Sequence, residues 1–239
     1  MKTVLINGGS RGIGRAVVEY FTDRGYAVAF TYKNAREEAL ALAERTGAMA
    51  IYADSASEAD VIRAVEMTID SFSHIDVLVN NAAISSFSVF GDITLEEWEN
   101  IFRVNVTGPF LYCREVLRDM ISRKSGSIVN VSSIWGLVGS SCEVHYSTTK
   151  AALIGMTKAL AKEVGPSGVR VNAIAPGVID TQMNSALSAE DMTSLAEETP
   201  LCRIGAPEEI ARAIYFLASE ESAFITGETL NVSGGFVVT

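Results

Sequence analysis

Cysteine, histidine and proline are all scarce in this chain of 239 residues, and so is positive charge. Three cysteines, Cys113, Cys142 and Cys202, form an odd set without a CxxC pair, which excludes a disulfide framework and fits a reducing compartment. The two histidines, His74 and His145, have no metal-like partners around them, so no metal site is expected. Five prolines are spread thinly, no Pro/Gly/Ser-rich linker appears, and no internal repeat is visible. A single domain over 1–239 follows. No segment approaches the roughly 20 apolar residues that span a bilayer, and the opening "MKTVLINGG" is too short an apolar run for a signal peptide. The expectation is a soluble, cytoplasmic protein without membrane contact. Nineteen Lys and Arg against 29 Asp and Glu leave a net charge of −10, spread along the chain, which argues against nucleic acid as a partner.

What the chain does have is a rhythm of short β-branched runs. "TVLI" (3–6), "AVAFTY" (27–32), "AMAIYA" (48–53), "DVLVN" (76–80), "SIVNVS" (127–132), "VRVNAIA" (169–175) and "TLNV" (229–232) read as strands. Between them apolar residues recur at helical spacing, as in Val61, Ile62, Val65 and Ile69. Continuous apolar strands are buried on both faces, so the predicted fold is α/β: a Rossmann-type, doubly wound parallel sheet of about seven strands with helices on each side. The more polar segment 182–200 is expected to act as a substrate lid.

Directly after the first run comes "NGGSRGIG", with Gly8, Gly12 and Gly14 ahead of an amphipathic helix beginning near Ile13. Glycines there let the chain turn sharply and let backbone N–H groups reach a pyrophosphate at a helix N-terminus, the signature of a dinucleotide site. An NAD site usually ends its second strand with a carboxylate for the ribose 2′-hydroxyl. This chain has Tyr32 and Lys33 there and Arg11 in the turn, which favours the 2′-phosphate of NADP(H) over NAD(H). Farther on, "SSIWGLVGSSCEVHYSTTK" places Ser133 just past a strand and Tyr146 and Lys150 four residues apart on one helical face.

The glycine turn, "NNAA" at 80–83, Asn105 in "RVNVTG", Ser133, the Tyr146/Lys150 pair and "PG" at Pro176 and Gly177 stand in the order of the classical short-chain dehydrogenases/reductases. The whole chain resembles that family, through "ITGETLNVSGG" at 225–235, and its layout is similar to the 3-oxoacyl-acyl-carrier-protein reductases. Asn7 and Ala83 depart from the family's usual threonine and glycine. The resemblance implies a reductase that passes hydride from NADPH to a ketone. Ser133 would hydrogen-bond the carbonyl oxygen, Tyr146 would protonate it, Lys150 would lower the phenol's pKa, and Asn105 would hold a water leading from Lys150 to solvent. It also implies a cofactor site made of Gly8, Ser10, Arg11, Gly12, Ile13 and Gly14, then Tyr32, Lys33 and Asp54, then Asn81 and Ala82. Tyr146, Lys150, Pro176, Gly177, Ile179 and Thr181 complete it.

Ser133, Trp135, Glu143 and Tyr146 are the residues expected to meet substrate. The stretch "SSIWG..GSSCEV.YS" is locally similar to bacterial reductases of a 5-aminopentanone carried on elongation factor P, and Glu143 would suit that substrate's ammonium group. Related fatty-acid reductases dock an acidic acyl-carrier protein on basic residues near the site mouth; the matching places here hold Lys124 and Ser167. The substrate readings are thus a 3-oxoacyl thioester, a protein-borne aminopentanone, or a broader sugar, steroid or alcohol dehydrogenase substrate. A non-catalytic NADP(H) sensor is the alternative of a different class. The resemblance and the apolar C-terminal "FITGETLNVSGGFVVT" point to a homotetramer. His145 reads as a neighbour of Tyr146 rather than a second base, Cys142 as inert, and Phe87, Phe90 and Trp98 as pocket or core residues.

Overall fold

The computed structural model describes residues 1–185 and 187–238. The seven β-branched runs are the seven strands, with ends displaced by at most one residue: β1 (Thr3–Asn7), β2 (Ala27–Tyr32), β3 (Met49–Tyr52), β4 (Val77–Asn80), β5 (Gly126–Val131), β6 (Val169–Pro176) and β7 (Thr229–Val232). They form one parallel sheet in the order β3-β2-β1-β4-β5-β6-β7. The helices are α1 (Gly12–Thr22), α2 (Arg36–Thr46), α3 (Glu58–Phe72), α4 (Leu95–Phe102), α5 (Gly108–Arg123), α6 (Trp135–Val138), α7 (Val144–Val164), α8 (Ala189–Glu198) and α9 (Pro207–Ala218).

Successive residues of a strand feed opposite layers, because side chains alternate across the pleat. In β1, Val4 and Ile6 join Phe21 of α1 and Ile210 and Ile214 of α9 in one core, while Leu5 joins Val65 of α3 and Tyr112 and Val116 of α5 in the other. All of these are at most 4 % exposed. This is why the strands read as unbroken apolar runs. Strand order reverses direction at β1, which pairs with β2 on one side and β4 on the other. In such sheets the crevice beyond the carboxyl ends of those strands is where ligands bind.

Within the polar segment 182–200, a 3₁₀ turn (Gln182–Asn184) precedes α8, whose first turn is closed by a reciprocal cap between Ser188 and Asp191. Residue 186, inside that segment, lies outside the described residues. Lys124 and Ser167 are not beside the site mouth within this chain. They immediately precede β5 and β6, and parallel strands place their starts at the edge of the sheet opposite to the glycine turn. Among the described residues no helix is long and apolar enough to cross a membrane.

Candidate active site

The glycine turn joins β1 to α1 over the switch point. Gly8 has φ +80°, and a Cβ there would lie 2.7 Å from the Ala82 Cα, so only glycine fits between the ends of β1 and β4. Gly14 is tighter still: a Cβ would lie 2.0 Å from the Gly8 carbonyl oxygen and 2.6 Å from Asn81 Nδ2, which itself donates to that carbonyl at 2.7 Å. The first turn of α1 carries no acidic residue, so its N–H groups and dipole favour an anion.

An open cleft of about 580 Å³ extends from this turn. Gly8, Ser10, Arg11, Gly12 and Ile13 form its floor, and Tyr32, Lys33 and Asp54 line the end beyond β2 and β3. Asn81 and Ala82 line it beyond β4, and Thr181 closes over Gly12. Gly14, Pro176, Gly177 and Ile179 are not among the residues that line it. Gly14 supports the turn. The Pro176 carbonyl accepts the Ile134 N–H at 3.0 Å, fixing the loop that bears Ser133, and Gly177 donates to the Val232 carbonyl at 3.0 Å. Asn34, Ala35 and Ser55, from loops, and Asn100, from α4, also line the cleft; none of them belongs to a motif, so the sequence gave no signal for them.

A cradle this close to backbone, at a helix N-terminus free of carboxylates, fits the pyrophosphate of a dinucleotide. At the ribose end, Lys33 does not wait as a lone cation: its Nζ lies 2.6 Å from the Asp54 carboxylate, half exposed. Arg11 is exposed and makes no ion pair among the described residues.

Beside the cleft, three expected groups gather at the ends of β5 and the start of α7. Ser133 is buried, and its Oγ accepts the Trp135 backbone N–H at 3.1 Å, leaving its own proton to face Tyr146 or a substrate oxygen. Trp135 itself packs edge-on against Phe236, at 5.9 Å between rings. Tyr146 and Lys150 are 7 % and 2 % exposed. The Lys150 ammonium donates to the Val131 carbonyl at 2.8 Å and lies 5.5 Å from the centre of the Tyr146 ring. Asn105 is fully buried in a π-helical turn (Arg103–Thr107) between α4 and α5 rather than in regular α-helix. Its Nδ2 donates to the Ile84 carbonyl at 2.9 Å and to Thr149 Oγ1 at 3.1 Å, next to Lys150.

Electrostatics here differ from the sequence expectation. Burial holds the Tyr146 phenol well above the ordinary tyrosine value, the nearby Glu143 charge adds to this, and the Ser133 hydroxyl opposes it. Burial pushes the Lys150 ammonium down to about 7. Desolvation dominates at both groups and pushes each toward its neutral form, and Lys150 is not among the causes acting on Tyr146. Tyr146 is therefore held protonated at neutral pH, the state a proton donor needs. Half-buried Glu143, the residue before α7, has its carboxyl raised above the usual range, again chiefly by burial, with Ser140 opposing. It makes no ion pair among the described residues.

The Lys150 shift makes a stability prediction. Below pH 7 the lysine is charged in both states and the full penalty of burying the ammonium is present. Between pH 7 and the unfolded value of 10.5 the unfolded chain binds more protons, so raising the pH stabilises the fold. Wild type is expected to gain melting temperature relative to Lys150→Met between pH 7 and about pH 9, measured by thermal denaturation. A constant difference across that range would contradict the buried ammonium.

The aromatic expectations divide. Phe87 and Phe90 are 79 % and 65 % exposed and are not core. Trp98 is half-buried and stacks on Phe102 at 4.9 Å. His145, set aside in the sequence, is fully buried with Nε2 2.6 Å from Ser86 Oγ. Its place next to Tyr146 was the only hint.

The family model described as enoyl-(acyl carrier protein) reductase matches residues 8–237, the glycine turn and the Ser133–Lys150 stretch included. The chain belongs to the short-chain dehydrogenase/reductase family. It is an NAD(P)-dependent oxidoreductase. The 3-oxoacyl-acyl-carrier-protein reductase FabG of Aquifex aeolicus (strain VF5) is 43 % identical over 98 % of this chain and 96 % of its own length. The uncharacterized oxidoreductase YmfI of Bacillus subtilis (strain 168) is 40 % identical over 98 % of each. Among solved structures, a double mutant of a Serratia marcescens short-chain dehydrogenase/reductase superposes with a TM-score of 0.93 at 34 % identity, covering 99 % of this chain and 98 % of that one.

Proposed function

We propose that this oxidoreductase is an NADPH-dependent reductase that turns a carrier-borne ketone into a secondary alcohol, of the 3-oxoacyl-acyl-carrier-protein reductase type. The observation that carries this reading is the pairing of two donors, the Ser133 hydroxyl and the Tyr146 phenol held protonated, buried together beside Lys150 at the end of β5 and the start of α7. Bound NADPH would supply the hydride. Ser133 stabilises charge growing on the carbonyl oxygen, and Tyr146 gives that oxygen its proton. Lys150, anchored on Val131, sits where it restores the proton to Tyr146. Both side-chain donors of Asn105 are spent on Ile84 and Thr149, so a water leading outward from Lys150 would meet Asn105 only at an acceptor, its Oδ1 or its main-chain carbonyl. A non-catalytic sensor would have no use for this set, and the relatives at about 40 % identity carry the reductase name. The exposed Phe110 and Phe224 support assembly of copies, which we take to be a cytoplasmic homotetramer.

Glu143 favours a second reading of the substrate. A half-buried carboxylate without a cationic partner, close enough to raise Tyr146, is poorly placed for an apolar acyl chain and well placed for an ammonium group. That suits a protein-borne amino-ketone such as the 5-aminopentanone of elongation factor P. The deciding experiment follows NADPH oxidation with an acetoacetyl thioester and with modified elongation factor P, for wild type and Glu143→Gln. On the amino-ketone reading the substitution raises KM for the amino-ketone about tenfold, at ~1.4 kcal/mol per decade, and leaves a neutral ketone of similar length unchanged. Equal effects on both substrates return the lead to the thioester, and no turnover of either sinks the reductase reading.

A further inference from the structure

The chain leaves β4 through a segment without regular secondary structure, 84–88, that is nevertheless fastened at every second residue. The Ile84 N–H donates to Asn105 Oδ1 at 2.9 Å while the Ile84 carbonyl accepts from Asn105 Nδ2. Ser86 Oγ meets His145 Nε2 at 2.6 Å, and the Ser88 N–H donates to the Cys142 carbonyl at 2.8 Å. All three fasteners lead to α7. Cys142 lies in the loop just before it, His145 lies within its first turn, and Asn105 reaches it through Thr149, whose Oγ1 donates to the Tyr146 carbonyl at 2.7 Å. Ile84 and Ser85 line the cofactor cleft, so the segment spans from that cleft to the turn bearing Glu143 and Tyr146.

The middle fastener differs from its neighbours. Ile84 and Ser88 are held through their own backbones, whereas the Ser86–His145 bond joins two side chains and depends on the identity of both residues. His145 is fully buried, and its Nδ1 finds no partner among the described residues. Placing the proton on Nδ1 would bury an unpaired N–H, which costs more than an unpaired lone pair; the proton therefore sits on Nε2 and is donated to Ser86. With 84, 86 and 88 each tied toward α7, Phe87 and Val89 stand exposed.

We propose that His145 is a positioning residue whose hydrogen bond to Ser86 holds the 84–88 segment against α7 as a fixed wall for the ketone substrate. It thereby sets substrate affinity and leaves cofactor binding and proton transfer untouched. The proposal rests on the ketone-reductase reading, and one of its readouts does not. Ser86 is exposed, so Ser86→Ala should fold. In that variant KM for a small neutral ketone is expected to rise about tenfold, with kcat and the NADPH dissociation constant, read by cofactor fluorescence, within about twofold of wild type. Amide hydrogen exchange across 84–88 should quicken, whether or not any ketone is turned over. His145→Gln, whose amide reaches the position of Nε2, should retain wild-type KM, and His145→Leu should match Ser86→Ala without adding to it in the double variant. If His145→Leu does not fold, Ser86→Ala and His145→Gln decide alone. Unchanged KM and unchanged exchange in Ser86→Ala would overturn the proposal. So would a joint loss of kcat and NADPH affinity, which marks general damage to the site. Failure of wild type to reduce any ketone while Ser86→Ala still loosens 84–88 would overturn the reductase reading and leave the fastener standing.

Discussion

Tyr146→Phe is expected to lower ketone reduction by roughly 10²–10⁴-fold, the usual worth of a positioned general acid. NADPH affinity should stay nearly constant, because the ring still packs in its buried place and Tyr146 does not line the cleft proposed to hold the dinucleotide. The protonated phenol sharpens the expectation. A group that burial keeps neutral is a competent donor for reduction and a reluctant base for the reverse reaction, so in wild type the alcohol-oxidising direction should need a higher pH than the reducing one. Stopped-flow NADPH binding together with steady-state rates measures both quantities. More than about a tenth of wild-type turnover surviving in Tyr146→Phe would remove Tyr146 from the acid role.

Arg11→Ala is expected to cut the preference for NADPH over NADH by about 10–100-fold, the range spanned by a charge-assisted hydrogen bond of roughly 1.5–3 kcal/mol. The sequence set Arg11 and Lys33 side by side as readers of the 2′-phosphate. The structure separates them. Lys33 is already paired with Asp54, and a phosphate arriving there would have to share its charge with a carboxylate, whereas Arg11 stands at the α1 N-terminus without an acidic neighbour in the first turn. Lys33→Ala should therefore cost less than Arg11→Ala, and the double variant should bring the two cofactors close to parity. Ratios of kcat/KM for the two cofactors test this; a native preference for NADH would overturn the assignment of the 2′-phosphate site.

The strands were legible because a sheet buried on both faces writes itself as unbroken β-branched runs, and the glycine turn was legible because Gly8 and Gly14 occupy places where no Cβ fits. Ser133, Tyr146 and Lys150 could be grouped from helical spacing and from the end of a strand. Their electrostatics could not, since the balance between desolvation and attraction depends on burial that spacing does not encode. The π-helical turn around Asn105 also escaped, because one extra residue in a turn leaves no periodic trace over five residues. Ser86 and His145 lie far apart in sequence, and nothing but the fold brings a loop serine onto a buried imidazole.

The sheet order also bears on how the chain reaches this state. β1 is made before both strands it pairs with, yet it lies inside the sheet, with Val4 opposite Val28 on one side and Val77 on the other. The β1–α1–β2 unit can close early through local contacts, and until Val77–Asn80 has been made the far edge of "TVLIN" has no partner. At synthesis rates of about 5–20 residues per second that wait lasts on the order of several seconds, during which an apolar parallel edge is open to any other extended chain. Slowing initiation or lowering growth temperature should therefore raise the soluble yield of the protein by thinning the crowd of half-made chains, even though neither changes the stability of the finished fold.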